Sequence, residues 1–247
     1  DPYSRLSYRR LIAWPARIER EAPFLREVLA DAPSKRLLDL GCGTGEHARF
    51  LQAEGFAVTG VDASAAQLAQ AREAGPGPEF VQGDLAELGA AVAGPYGAAI
   101  SLGNGLPHLH ASEMTSFLGH LARLLLPGAP ALFQILNYDR ILDGRVTSLP
   151  LNVREDDGER VVFLRLMEPR PDGTVLFNPT TLRWRPGAEP PVEVVTGKNV
   201  LLKGWRRAEL EAALSAAGFR VEAVLGGMRR EAWDGASSSD TVVLARR

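Results

Sequence analysis

Three glycines at alternate positions stand in the stretch Arg36-Leu-Leu-Asp-Leu-Gly-Cys-Gly-Thr-Gly-Glu46, between an apolar run and a helical pattern. Without Cβ atoms at Gly41, Gly43 and Gly45 the backbone turns sharply and lets a ligand approach its amides. A helix opening behind such a turn offers free N–H groups and a positive dipole end to an anion. The spacing is Gly-x-Gly-x-Gly, not the Gly-x-Gly-x-x-Gly of a dinucleotide fingerprint. Asp39 precedes the first glycine by two residues, where a carboxylate meets a ligand's amino group. Asp62, in Val61-Asp62-Ala63-Ser64, ends the next apolar run and suits bidentate acceptance from ribose hydroxyls. Asp84, in Gln82-Gly83-Asp84-Leu85, lies one repeat further on, at the base end of the same ligand. A lone aspartate after a strand is more often the N-cap of the next helix. Three in succession fit a ligand site at the carboxyl ends of strands.

The elements that position these groups read as βαβ units. Residues 36–40, 57–61, 79–82, 98–102 and 131–137 read as strands, and 45–54, 65–74 and 112–125 as helices. The strands are almost continuously apolar, as strands covered on both faces must be. From residue 144 to 204 the texture changes. Apolar runs at 151–153, 160–168, 174–184 and 192–202 are separated by Asp156-Asp157-Gly158, Pro171-Asp172-Gly173 and Pro186-Gly187, which signals antiparallel hairpins. A helix over 207–217 and strands at 219–225 and 241–245 close the chain, while residues 3–30 are helical in pattern. The chain reads as one domain, 1–247, with an N-terminal helical cover over 1–34 and inserted strands over 144–204 as a substrate-side lid.

Lys and Arg number 28 against 30 Asp and Glu, a net charge of -2, with no basic stripe. That balance argues against nucleic acid as partner. The single cysteine, Cys42, has no internal disulfide partner and suits a reducing compartment; inside the glycine loop its role is structural. No run reaches the ~18 apolar residues of a membrane span, and no signal-peptide core is present. The expected location is the cytoplasm.

The Leu38-Asp-Leu-Gly-Cys-Gly-Thr-Gly45 stretch resembles motif I of class I S-adenosylmethionine-dependent methyltransferases, and the order of elements resembles theirs along nearly the whole chain. The resemblance implies a Rossmann-like α/β fold: seven strands in the order 3-2-1-4-5-7-6, the last antiparallel, with helices on both faces. A narrower likeness, to the glycine and sarcosine N-methyltransferase group, rests on Val61-Asp62-Ala63-Ser64, Leu102-Gly103-Asn104-Gly105-Leu106-Pro107-His108-Leu109, Asn137-Tyr138-Asp139-Arg140-Ile141-Leu142 and Val224-Leu225-Gly226. It implies S-adenosylmethionine as cofactor, held by Arg17, Asp39, Gly41, Cys42, Gly43, Gly45, Asp62, Ala63, Asp84, Leu85 and Leu102, with Arg17 on the methionine carboxylate and cover from Tyr8. Asn104, His108, Asn137, Tyr138 and Arg229 would face a small-molecule methyl acceptor. Many relatives associate, so the reading allows a homo-oligomer.

Leu136 stands where that group has an arginine for the substrate carboxylate, which argues against an amino-acid acceptor. Arg140, Arg183 and Arg229 are the available replacements. No histidine has metal-ligand spacing; His47 and His120 read as surface residues, while pocket wall and loop packing are both open to His108. Trp14, Trp184, Trp205 and Trp233 read as packing residues, with a lid role also open to Trp184. Two rival readings stand beside methyl transfer: a nicotinamide-dependent oxidoreductase, and a non-catalytic S-adenosylmethionine-binding protein.

Overall fold

A computed structural model describes residues 12–156 and 159–247; Tyr8, and Asp157 and Gly158 of the first expected turn, lie outside the described residues. Helix α1 (Trp14–Leu29) leads into β1 (Arg36–Leu40), α2 (Glu46–Ala53), β2 (Ala57–Asp62), α3 (Ala65–Glu73) and β3 (Glu79–Gln82). A 3-10 turn (Leu85–Glu87) and α4 (Leu88–Ala91) follow, then β4 (Ala98–Ser101), a second 3-10 turn (Leu106–His108), α5 (Ala111–Leu124), β5 (Pro130–Leu136) and α6 (Tyr138–Asp143). Next come β6 (Asn152–Asp156), β7 (Glu159–Pro169), β8 (Thr174–Trp184), β9 (Val192–Gly197) and β10 (Val200–Lys203). Helix α7 (Arg207–Ala216), β11 (Arg220–Leu225) and β12 (Asp240–Arg246) complete the order.

The larger sheet runs β3-β2-β1-β4-β5-β12-β11, parallel from β1 to β5, with β12 antiparallel to both its neighbours. Within that sheet this is the order 3-2-1-4-5-7-6, with helices on both faces. The strands are apolar at nearly every position because alternate side chains enter different layers. On β1, Leu37 joins a core with Phe24, Leu25 and Leu51 of α1 and α2, whereas Leu38 and Leu40 join the core under α5. On β4, Ala98 and Ile100 face the first layer and Ala99 the second. Winding reverses between β1 and β4, and that is where an open α/β sheet leaves a crevice beyond its strand ends.

Strands β6 to β10 form a separate antiparallel sheet between α6 and α7. The expected single strand over 192–202 lapses at Lys198 and Asn199, where Asn178 Nδ2 donates to Asn199 Oδ1 at 3.0 Å. The register resumes unshifted, Thr180 opposite Gly197 and Phe177 opposite Val200. Sequence patterning does not announce α6; Asn137 starts it by accepting the Arg140 N–H at 3.2 Å.

Candidate functional site

A cavity of about 350 Å³ lies at the carboxyl ends of β4, β1, β2 and β3. Arg17, Asp39, Gly41, Cys42, Gly43, Asp62, Ala63, Asp84, Leu85, Leu102, Asn104 and His108 all line it. Such a volume falls in the range of small-molecule sites.

The glycine loop is held from β2. Gly41 N and Cys42 N donate to Val61 O at 2.8 and 3.1 Å, and Gly43 N donates to Asp62 Oδ2 at 2.8 Å. The other oxygen of Asp62 accepts the Ser64 N–H at 2.8 Å. Ser64, not Asp62, caps α3, so the capping alternative for Asp62 falls away. Asp84 has both roles open to it: its carboxylate accepts the Ala86 N–H at 2.8 Å and also borders the cavity. Gly43 has φ +55°, in the left-handed region. Gly45 is off the cavity wall; a Cβ there would stand 2.5 Å from Phe80 Cζ, so its role is packing α2 on the sheet. Burial pushes the Cys42 thiol well above its usual pKa, which suits a packing role.

Asp39 is 2% exposed, and its Oδ2 has no hydrogen-bond partner. Burial raises its carboxyl to about 7, with help from the Asp62 charge and against the Ala48 backbone N–H. An unsatisfied buried carboxylate oxygen beside an open cavity is an acceptor waiting for a donor.

The first turns of α1 reach the same cavity. Arg17 Nε donates to Glu21 Oε1 at 2.9 Å, and His47 Nε2 lies 2.7 Å from Glu21 Oε2. Burial alone would raise the Glu21 carboxyl, but the His47 hydrogen bond and the Arg17 charge outweigh it and hold it low. Burial also holds the His47 imidazole low, so a neutral ring donates Nε2–H to an ionised carboxylate. Trp14 meets the edge of that ring, with centroids 5.4 Å apart. Gln134 Oε1 accepts from Gly103 N at 2.8 Å and lies 3.5 Å from an Arg17 nitrogen, tying α1 to the loop after β4.

His47 is therefore not a surface residue: it is 7% exposed and lines the cavity, as does Trp14. The docking of Glu21 from 26 positions upstream makes the difference. His120 is half-buried, its ring against Gly89. Neither His47, Glu21 nor Gln134 was found from the sequence; the i,i+4 spacing of Arg17 and Glu21 was the one available signal. Glu21→Ala is expected to cost about 3 kcal/mol, since it strands a mostly buried guanidinium. For a chain of this length that is a fall in Tm of about 6–12 °C. An unchanged thermal melt would show that the triad holds nothing together.

On the acceptor side, Asn104 has φ 70° and accepts the Leu136 N–H at 2.9 Å through Oδ1, while Nδ2 donates to the Tyr138 hydroxyl at 3.1 Å. Tyr138 is fully buried behind Asn104, and burial pushes its phenol upward. Asn137 is also fully buried; its amide donates to the carbonyls of Asp234, Gly235 and Ser238. Neither Asn137 nor Tyr138 lines the cavity; Tyr138 meets it through Asn104, while the side-chain partners of Asn137 lie away from it. Arg229 is placed elsewhere, exposed and paired with Glu231 at 3.0 Å, in a second polar depression with Arg20 and Ser237. Arg140 and Arg183 do not line the cavity either. Trp184 is at an exposed corner of the smaller sheet, away from the cavity. Trp205 is buried, and its Nε1 donates to Leu109 O at 2.9 Å.

Among the described residues no cluster of three or more His, Cys, Asp or Glu side chains is arranged to hold a metal ion. No described helix is long and apolar enough to cross a membrane.

Residues 37–128 match a family model described as a methyltransferase domain. The chain is 34% identical over 140 residues to a glycine/sarcosine N-methyltransferase of Parasynechococcus marenigrum, which covers 55% of this chain and 50% of that protein. The chain thus spans about half the length of that relative. An amino pentose methyltransferase from Micromonospora echinaspora, solved with S-adenosylmethionine bound, superposes with a TM-score of 0.72 at 23% identity, over 96% of this chain and 92% of that one. An S-adenosylmethionine-dependent methyltransferase from Clostridium acetobutylicum superposes with a TM-score of 0.75 at 14% identity, over 99% and 95%. Over residues 37–128 the chain is thus similar to a methyltransferase domain, and its fold is that of these two solved methyltransferases. The matched segment of that methyltransferase domain, 37–128, holds the glycine loop, Asp39, Asp62, Asp84, Asn104 and His108. Arg17, Glu21 and the whole smaller sheet lie outside it.

Proposed function

We propose that the chain transfers a methyl group from S-adenosylmethionine to the N- or O-nucleophile of a small molecule. The observation that carries this reading is the partnerless Asp39 Oδ2 in a cavity where Asp39, Asp62 and Asp84 stand at the carboxyl ends of three successive strands. The residues fit the group. Asp39 offers an acceptor for an amino group, Arg17 a cation for a carboxylate, Asp62 acceptors for ribose hydroxyls, and Asp84 with Leu85 the border of a base. When bound, S-adenosylmethionine supplies a methyl activated on a sulfonium. This chain's part is to bind, orient and exclude water. Trp14 and Arg17 of α1 support the reading of 1–34 as a cover. Packing of β10 against the Leu106–His108 turn supports the reading of 144–204 as a lid on the acceptor side. His108 borders the cavity, and burial holds its imidazole below its usual pKa, so it is neutral at pH 7 and able to take a proton from an acceptor amine. Asn104 orients the acceptor, and Tyr138 positions Asn104.

Arg17 is the one cation among the described cavity residues, and this reading commits it to the cofactor. A carboxylate on the acceptor would then be buried unpaired, at a cost of several kcal/mol. S-adenosylhomocysteine should raise Tm and NAD should not. In a labelled-methyl assay, glycine and sarcosine should react at least about 10-fold more slowly than the best uncharged amine, amino sugar or phenol. Stabilisation by NAD alone would overturn methyl transfer. Glycine as best acceptor, with S-adenosylhomocysteine still stabilising, would overturn only the acceptor class.

A further inference from the structure

Every large apolar side chain that the described residues expose lies between 151 and 201, on or beside the smaller sheet. One face of that sheet packs on the core through Met167, Val175, Phe177 and Leu202. On the other face a polar alternation is expected of a sheet that meets water. Instead, cross-strand partners place Val153, Val162, Leu182 and Val194 in one row across four strands. Beside that row Trp184 pairs with Val192, and near the opposite end Leu176 pairs with Leu201. Val194 is 66% exposed and Leu166 45%. A monomer rarely shows water an apolar patch this continuous.

We propose that this face is where a second copy of the chain docks, sheet face on sheet face about a two-fold axis. The size fits. Strands β7 and β8 have eleven residues each, with β9 and β10 end to end on one side and the five residues of β6 on the other. At ~3.3 Å per residue and ~4.8 Å per strand they present a face on the order of 600 Å², near one side of a standard interface. The charges fit self-pairing. On that face Arg160 pairs with Glu155 at 3.5 Å beside Trp184, one charge of each sign, while Arg183, Arg185, Glu159 and Glu193 pair with one another on the opposite face. A rim with both signs meets its own two-fold copy without net repulsion, whereas a strongly charged partner gains nothing from it. The Arg160 guanidinium lies 4.8 Å above the Trp184 ring, a pair of the residue types that dominate interface energetics.

The test is sedimentation and light scattering of the full chain up to about 100 μM, a range in which a standard-size interface is populated. Val194→Glu and Leu166→Glu are compared with the wild type. Both sites are exposed and outside the cavity, so Tm and stabilisation by S-adenosylhomocysteine serve as folding controls. Each substitution occurs twice in a two-fold interface and buries two unpaired carboxylates, so the dimer dissociation constant should rise at least about 100-fold. A wild type of monomer mass throughout, or a dimer that neither substitution weakens, overturns the proposal.

Discussion

Asp62→Ala should raise the dissociation constant for S-adenosylhomocysteine by at least about 100-fold. If the carboxylate accepts both ribose hydroxyls, each charge-assisted bond contributes ~1.5–3 kcal/mol, and two reach about 3 kcal/mol at the low end, more than two decades in affinity. The structure adds a second route to the same loss. Asp62 is the acceptor for Gly43 N and Ser64 N, so the substitution also releases the glycine loop from β2. The variant should therefore lose some ligand-free stability as well, about 1–3 kcal/mol for the amides left without a partner. Asp62→Asn separates the routes, since its one remaining oxygen can serve a single amide and the new N–H group faces the other. Calorimetry with a thermal melt reads both effects. A folded Asp62→Ala chain that binds S-adenosylhomocysteine as tightly as the wild type would remove Asp62 from the ribose.

Asp39 sets a pH dependence of opposite sign in the free and bound protein. Its folded pKa of about 7 lies above its ordinary value of 3.8, chiefly because it is buried and next because Asp62 is near. A folded-state pKa above the unfolded one means that the native state holds the proton more tightly. Its contribution to stability is present below the unfolded pKa and is lost as pH rises towards about 7. The shift is worth up to about 4 kcal/mol. Ligand-free Asp39→Asn should then melt above the wild type at pH 8 and close to it at pH 4–5. Stabilisation by S-adenosylhomocysteine should behave in reverse: the ionised carboxylate receives the ligand's ammonium group, so the wild-type effect grows between pH 5 and 8. In Asp39→Asn it should be small and flat. Parallel Tm curves for the two proteins across that range would place the titrating group elsewhere.

Much of this was legible in the sequence because it depends on neighbours in the chain. The glycine loop, the strand over Arg36–Leu40 and the acids at the ends of three strands are local patterns, and an unbroken apolar run is a direct record of burial on both faces. The strand order came from resemblance, and the hairpins of the smaller sheet from their turn residues. What stayed hidden depends on pairs far apart in sequence. Glu21 and His47 are 26 residues apart, and Arg17 and Gln134 are 117 apart. A histidine on a short helix reads as surface until another helix brings it a carboxylate. Arg229 lies near the end of β11, but a guanidinium takes the carboxylate within reach, and Glu231 holds it outside the cavity. The outward face of β6 to β10 shows the same division. Its apolar residues are plain in the sequence, but composition does not say which face of a sheet the rest of the chain covers. The residue types and their order thus determined the nucleotide-type loop, the layers and the acids at the strand ends. Only tertiary packing decided which charges meet, which oxygen is left bare, and which apolar face has nothing over it, because those depend on where α1 and the inserted sheet come to rest.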